Sequence, residues 1–153
     1  KSQLGLIKAQ ETIEVKEKTL EELISEAIFQ TINIIDPEVK AELHLNFVKK
    51  YIREAEDFLG KKYVQASEKI WDAASQIVKA VAIKRGIELK SHRELWKFTT
   101  NLNKEYPDRN LLSMFHVANS LHINFYKDWL TSEAVINGIE TIKIFIEKLR
   151  SLI

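Results

Sequence analysis

The residues best suited to chemistry lie in one stretch, Tyr106 to Leu130, which reads as a single helix. It carries two of the four histidines, His116 and His122, a basic residue near its start, Arg109, and a dense group of aromatics. Arg109 and His116 are seven positions apart. Two helical turns return a side chain to nearly the same face, ~10 Å further along the axis. Arg109 is expected in the first turn, where backbone N–H groups favour an anion. An arginine that holds a phosphate and a histidine that moves a proton suit phosphodiester cleavage. Asn110, next to the arginine, is placed to orient it or the phosphate. Asn119, His122 and Tyr126 recur at helical spacing and share a second face. The two faces are expected to border one cleft. Ordinary packing is the competing account, with Arg109 paired to a carboxylate and Asn119, His122 and Tyr126 forming a buried polar network.

A second group is basic. Lys79, Lys84, Arg85, Lys90, His92, Arg93 and Lys97 surround one predicted turn, interrupted by Glu88 and Glu94. The net charge of +1 hides this asymmetry. Residues 1–60 carry a balance of −4, residues 61–110 one of +5, and residues 111–153 none. The middle third is therefore a candidate surface for the phosphates of a nucleic acid, or else an ordinary solvated face. Few aromatics interleave with these cations, as a base-stacking groove would need. Trp71 and Trp96 are expected in the core. The histidines have no metal-ligand spacing, and neither a glycine-rich phosphate loop nor a Gly-x-Ser-x-Gly elbow occurs. Neither metal nor cofactor is expected. The absence of Cys excludes disulfides and thiol catalysis.

The elements that must hold these residues are helices. With 153 residues, 45% of them apolar, the chain has the size and core of one domain. Four Gly and two Pro leave long stretches uninterrupted. No apolar run suits a membrane span or the core of a signal peptide, so a soluble cytoplasmic protein is expected. Residues 1–18 read as a mixed, charged extension, and residues 19–153 as the helical domain. Thr19 and Glu22 form a capping box ahead of the stripe Leu20, Leu23, Ile24, Ala27 and Ile28. Asp36-Pro37-Glu38 starts a second helix with Phe47, Val48, Tyr51, Ile52, Ala55, Phe58 and Leu59 inward, and Gly60 stops it. A third, alanine-rich helix runs from Tyr63 to Arg85, stopped by Gly86. Ser91 and Glu94 cap a fourth, and Pro107 ends it. Thr131 or Ser132 caps the last, whose stripe is Val135, Ile139, Ile142, Ile146 and Leu149, with Ile144 and Phe145 off it. The result is an all-α, antiparallel bundle of five or six helices. Leu23, Ile52, Ala74, Ile77, Ile139 and Ile142 are expected in its core.

The chain resembles the archaeal PaREP family, a branch of HEPN-like helical proteins. The resemblance runs over roughly residues 20–150. It is carried by Asp36-Pro37-Glu38 with Ala41-Glu42-Leu43, by Tyr51 to Glu56, by Gln65 to Trp71, by Val78-Lys79-Ala80, by Lys90 to Arg93 and by Leu121 to Tyr126. It implies a HEPN-type bundle that is usually dimeric. Many HEPN proteins are metal-independent ribonucleases of toxin–antitoxin or defence systems. Their Arg and His, a few residues apart, match Arg109-Asn110 and His116 with six residues between. The implied chemistry is attack of a ribose 2′-hydroxyl on the adjacent phosphorus, with His122 nearby. The alternative is a non-catalytic dimeric interaction module, such as the partner of a nucleotidyltransferase. Ile144, Phe145, Phe125 and Trp129 supply apolar surface for a homodimer.

Overall fold

The computed structural model describes residues 19–31 and 36–153. Among these residues it is all-helical, with α1 Leu20–Thr31, α2 Pro37–Phe58, α3 Tyr63–Lys84, α4 His92–Glu105, α5 Leu111–Lys127 and α6 Ser132–Arg150. A short 3₁₀ turn, Pro107–Arg109, separates α4 from α5. The compact bundle spans Pro37–Ile153, and α1 lies in a separate unit. The expected extension over residues 1–18 falls outside the described residues.

Each helix starts and stops for local reasons. In α1 the capping box is complete: Glu22 N–H donates to Thr19 Oγ1 at 3.1 Å, and Thr19 N–H donates to Glu22 Oε2 at 3.2 Å. Leu20, Ile24 and Ile28 are exposed, and Leu23 is half-buried rather than in a core. Pro37 opens α2 in the position where its missing N–H costs nothing. Gly60 follows α2 at φ 82°, and Gly86 follows α3 at φ 77°. At Gly86 the chain makes both bonds of a Schellman stop, Ile87 N–H to Ala82 O and Gly86 N–H to Ile83 O, each 3.0 Å. Ser91 Oγ accepts from Glu94 N–H at 3.1 Å, while Glu94 Oε1 accepts from the N–H of Lys90, one residue before the usual position. Thr131 Oγ1 accepts from Ala134 N–H at 3.1 Å to start α6.

The bundle is built around α3. Fourteen of its 22 residues are buried, so it needs neighbours on nearly every side, and α2, α4, α5 and α6 all pack on it. Ala66, Ala73, Ala74 and Ala80 are fully enclosed and leave room for close helix approach. Tyr51 and Val48 of α2, Phe115 and Leu121 of α5, and Ile139, Ile142 and Ile146 of α6 complete the core. Gly138 of α6 sits against α5, where an added Cβ would come within 3.1 Å of Leu121 Cδ1. Ala74, Ile77, Ile139 and Ile142 are buried as expected, but Ile52 is only half-buried, at the margin of α2's stripe. Phe145 is fully buried and Ile144 is 51% exposed. Residue 145 lies three positions after Ile142 and four before Leu149, so it widens the stripe on one shoulder and reaches Phe115 at 6.1 Å.

The stretch 106–130 is not one helix. Asn110 takes the left-handed conformation, φ 57°, ψ 34°, which a helix cannot contain but asparagine tolerates. Its side chain makes no cap. Asn103 of α4 supplies one instead, its Oδ1 accepting from Leu112 N–H at 3.1 Å. At the other end Asp128 is also left-handed, φ 50°. There the buried Asn124 ties the turn: its Oδ1 accepts from Trp129 N–H at 3.0 Å and Leu130 N–H at 2.8 Å. Its Nδ2 donates to Ser67 Oγ of α3 at 3.1 Å. Asn124→Ala leaves two backbone donors and a buried hydroxyl without these partners. It is expected to cost about 2–4 kcal/mol, since each stranded buried group costs roughly 1–3 kcal/mol. Urea unfolding followed by circular dichroism, with a lowered midpoint and unchanged slope, checks this.

Candidate functional site

The interior helix α3 carries two carboxylates, Glu68 and Asp72, on either side of Trp71 in the chain. Glu68 stands one turn before Trp71, flanked by Ala66, Ser67 and Ile70. Trp71 is 1% exposed. Across from it, His122 of α5 is 6% exposed, and its Nδ1 lies 2.7 Å from Glu68 Oε1. A carboxylate only accepts, so Nδ1 carries the hydrogen, and Nε2 is the nitrogen through which His122 would act as a base.

Two imidazoles share the indole of Trp71. His122 stacks on it at 4.8 Å and 24°, and His92, the first residue of α4, stacks at 5.0 Å and 21°. The two imidazole centroids are 5.7 Å apart. That is far less than the two stacking distances together, so both rings lie on one face of the indole, side by side. Tyr126 meets His122 edge-on at 5.4 Å and is 53% exposed, so the cluster reaches the surface there. A carboxylate-oriented imidazole beside a second imidazole is a suitable pair for moving protons.

The other expected residues have separate surroundings. Arg109 precedes α5 instead of lying in its first turn. Its guanidinium sits over the Tyr106 ring at 4.6 Å, and Nη1 donates to Ser151 Oγ at 3.2 Å. Its carbonyl accepts from Lys148 Nζ at 2.8 Å. The break at Asn110 removes the continuous helix that would have aligned Arg109 with His116. His116 is exposed, edge-on to Trp96 at 4.9 Å. Asn119 is half-buried on α5. His122, Tyr126 and His92 come together, although sequence had placed His92 in a basic patch. Glu68 and Trp71 join this site without any local motif that marks them, beyond a glutamate at i−3 from a tryptophan inside an apolar helix.

The basic patch divides. Lys84 pairs with Glu38, and Arg85 pairs with Glu105 at 2.7 Å. Lys79 is half-buried. Lys90, Arg93 and Lys97 are exposed and form no ion pair among the described residues. Among those residues no group of His, Asp and Glu is arranged to hold a metal ion, and no helix is long and apolar enough to cross a membrane.

These features define an all-α bundle with a carboxylate–histidine pair between its central helix and α5. The sequence model of the Archaeal PaREP1/PaREP8 family matches residues 43–146, from within α2 to within α6 and including the whole ring cluster. The chain belongs to that family. No curated protein and no solved structure matches it.

The Glu68–His122 contact makes a direct prediction. At the alkaline limit of its titration, His122 is expected as the Nδ1–H tautomer in long-range proton–nitrogen spectra. Glu68→Gln is expected to lower stability by about 1.5–3 kcal/mol, the range for a hydrogen bond to a charged group. An Nε2–H tautomer in the unaltered protein would contradict the assignment.

Proposed function

We propose that this protein is an RNA-associated, HEPN-like bundle acting as a metal-independent ribonuclease of a toxin–antitoxin or defence system. The observation that carries the reading is the exposed cation group Lys90, Arg93 and Lys97, which spends none of its charge on neighbouring carboxylates among the described residues. In the chain it brackets His92, the first residue of α4 and one of the two imidazoles stacked on Trp71. Cations of this kind meet phosphate, and the adjacent imidazoles have the chemistry to move protons at it.

RNA affinity should fall steeply with salt, because each phosphate contact releases counterions. Reversing Lys90, Arg93 or Lys97 to Glu is expected to weaken binding of all sequences alike. Each reversal should lower the salt slope by about 1. Filter binding across a salt series measures both. Binding indifferent to salt and to all three changes would mean that this face is only solvated.

A second reading, a dimeric interaction module that includes the partner of a nucleotidyltransferase, is favoured by the apolar corner between α5 and α6. There Phe125 is exposed, Trp129 is 65% exposed, and Ile136 lies exposed in the following helix. Phe145, counted with them from sequence, is in the core. Sedimentation at micromolar concentration should show a homodimer, weakened by Trp129→Ser. A monomer throughout would refute it.

A further inference from the structure

We propose that His92 and His122 form a two-histidine phosphodiesterase site, acting on RNA that carries a 2′-hydroxyl, with Glu68 positioning His122. The proposal rests on the RNA-associated reading above but places the chemistry on residues from three different helices. Three observations carry it. Both imidazoles lie on one face of Trp71, 5.7 Å apart, so α4 and α5 fix their relation rather than side-chain chance. Glu68 holds His122 through Nδ1 at 2.7 Å, with its side chain 16% exposed and that of His122 7% exposed. An ionisable pair buried to this degree is weak evidence for stability, because apolar residues of similar size serve a core as well or better. Finally, Tyr126 at the edge of the cluster is 53% exposed, and exposed cations stand close to His92 in the chain, Arg93 next to it and Lys90 two residues before.

The step balances within the site. His122 Nε2 takes the proton of the 2′-hydroxyl, and Glu68 stabilises the imidazolium that forms. The 2′-oxygen forms a bond to phosphorus as the bond from phosphorus to the 5′-oxygen breaks. His92, protonated from solvent, gives its proton to the leaving 5′-oxygen. The products are a 2′,3′-cyclic phosphate and a free 5′-hydroxyl, and proton exchange with water restores both rings.

The test uses the full chain and the dinucleotide uridylyl-3′,5′-adenosine, which is too short to need the cation group. Release of adenosine and uridine 2′,3′-cyclic phosphate in the presence of EDTA is expected, with no cleavage of the 2′-deoxy analogue. His92→Ala and His122→Ala should each lower the rate at least ~100-fold, as loss of a general acid or base does. Glu68→Gln should lower kcat with KM unchanged and displace one limb of the pH profile, and Glu68→Asp should recover part of the loss. If His122→Ala does not keep the helical spectrum, His92→Ala carries the test, because His92 is half-buried at a helix start. An uncleaved dinucleotide, or full activity in His92→Ala, overturns the site. So does a loss confined to Arg109→Ala and His116→Ala. RNA binding is read separately by filter binding. RNA that binds while the dinucleotide stays intact removes this site and leaves the RNA reading standing. Cleavage without RNA binding does the reverse.

Discussion

The enclosure of α3 is the constraint on which the rest of the bundle depends. A helix surrounded by four others has almost no solvent to hydrate its polar side chains. Burying such groups without partners is costly, and three of them draw partners from neighbouring helices, whereas the buried hydroxyl of Ser75 makes no hydrogen bond among the described residues. Ser67 donates to Tyr63 O at 3.0 Å and accepts from Asn124. Gln76 Oε1 lies 2.6 Å from His44 Nδ1 of α2. Glu68 takes His122. The polar residues of one helix thus dictate which amides and imidazoles the surrounding helices present inward.

Asn124 and His122 show how two of these demands act together. They are two residues apart on α5, and both reach α3, one through Ser67 and the other through Glu68. The first contact also ties down the turn into α6. The second sets the imidazole on the indole. The geometry of the ring cluster therefore depends on the anchoring of the α5–α6 turn as much as on its own members, since a displaced α5 would move both contacts at once.

Most helix boundaries were legible in the sequence because capping is local chemistry. Gly60, Gly86, Ser91 and Thr131 act within a few residues, and their signals survive without knowledge of the fold. The ends of α5 were not legible, since Asn110 and Asp128 adopt left-handed conformations that their residue type permits but does not demand. The cap of α5 comes from Asn103 in another helix. The site was hidden for the same reason. Glu68 and His122 are 54 positions apart, and nothing in their local spacing announces the contact. His92 looked like one more positive residue in a cationic run until α4 packed it on Trp71.

The placement of Trp71 has an optical consequence. The three tryptophans occupy different surroundings: Trp129 is mostly in solvent, Trp96 is half-buried against Phe115, and Trp71 is enclosed beneath two imidazoles. A protonated imidazole stacked on an indole quenches its emission, whereas a neutral one does so far less. Because His116 also meets Trp96 at 4.9 Å, emission from the buried Trp71 is expected to follow the charge of the histidine pair once Trp96 and Trp129 are replaced by Phe, with no label and no substrate.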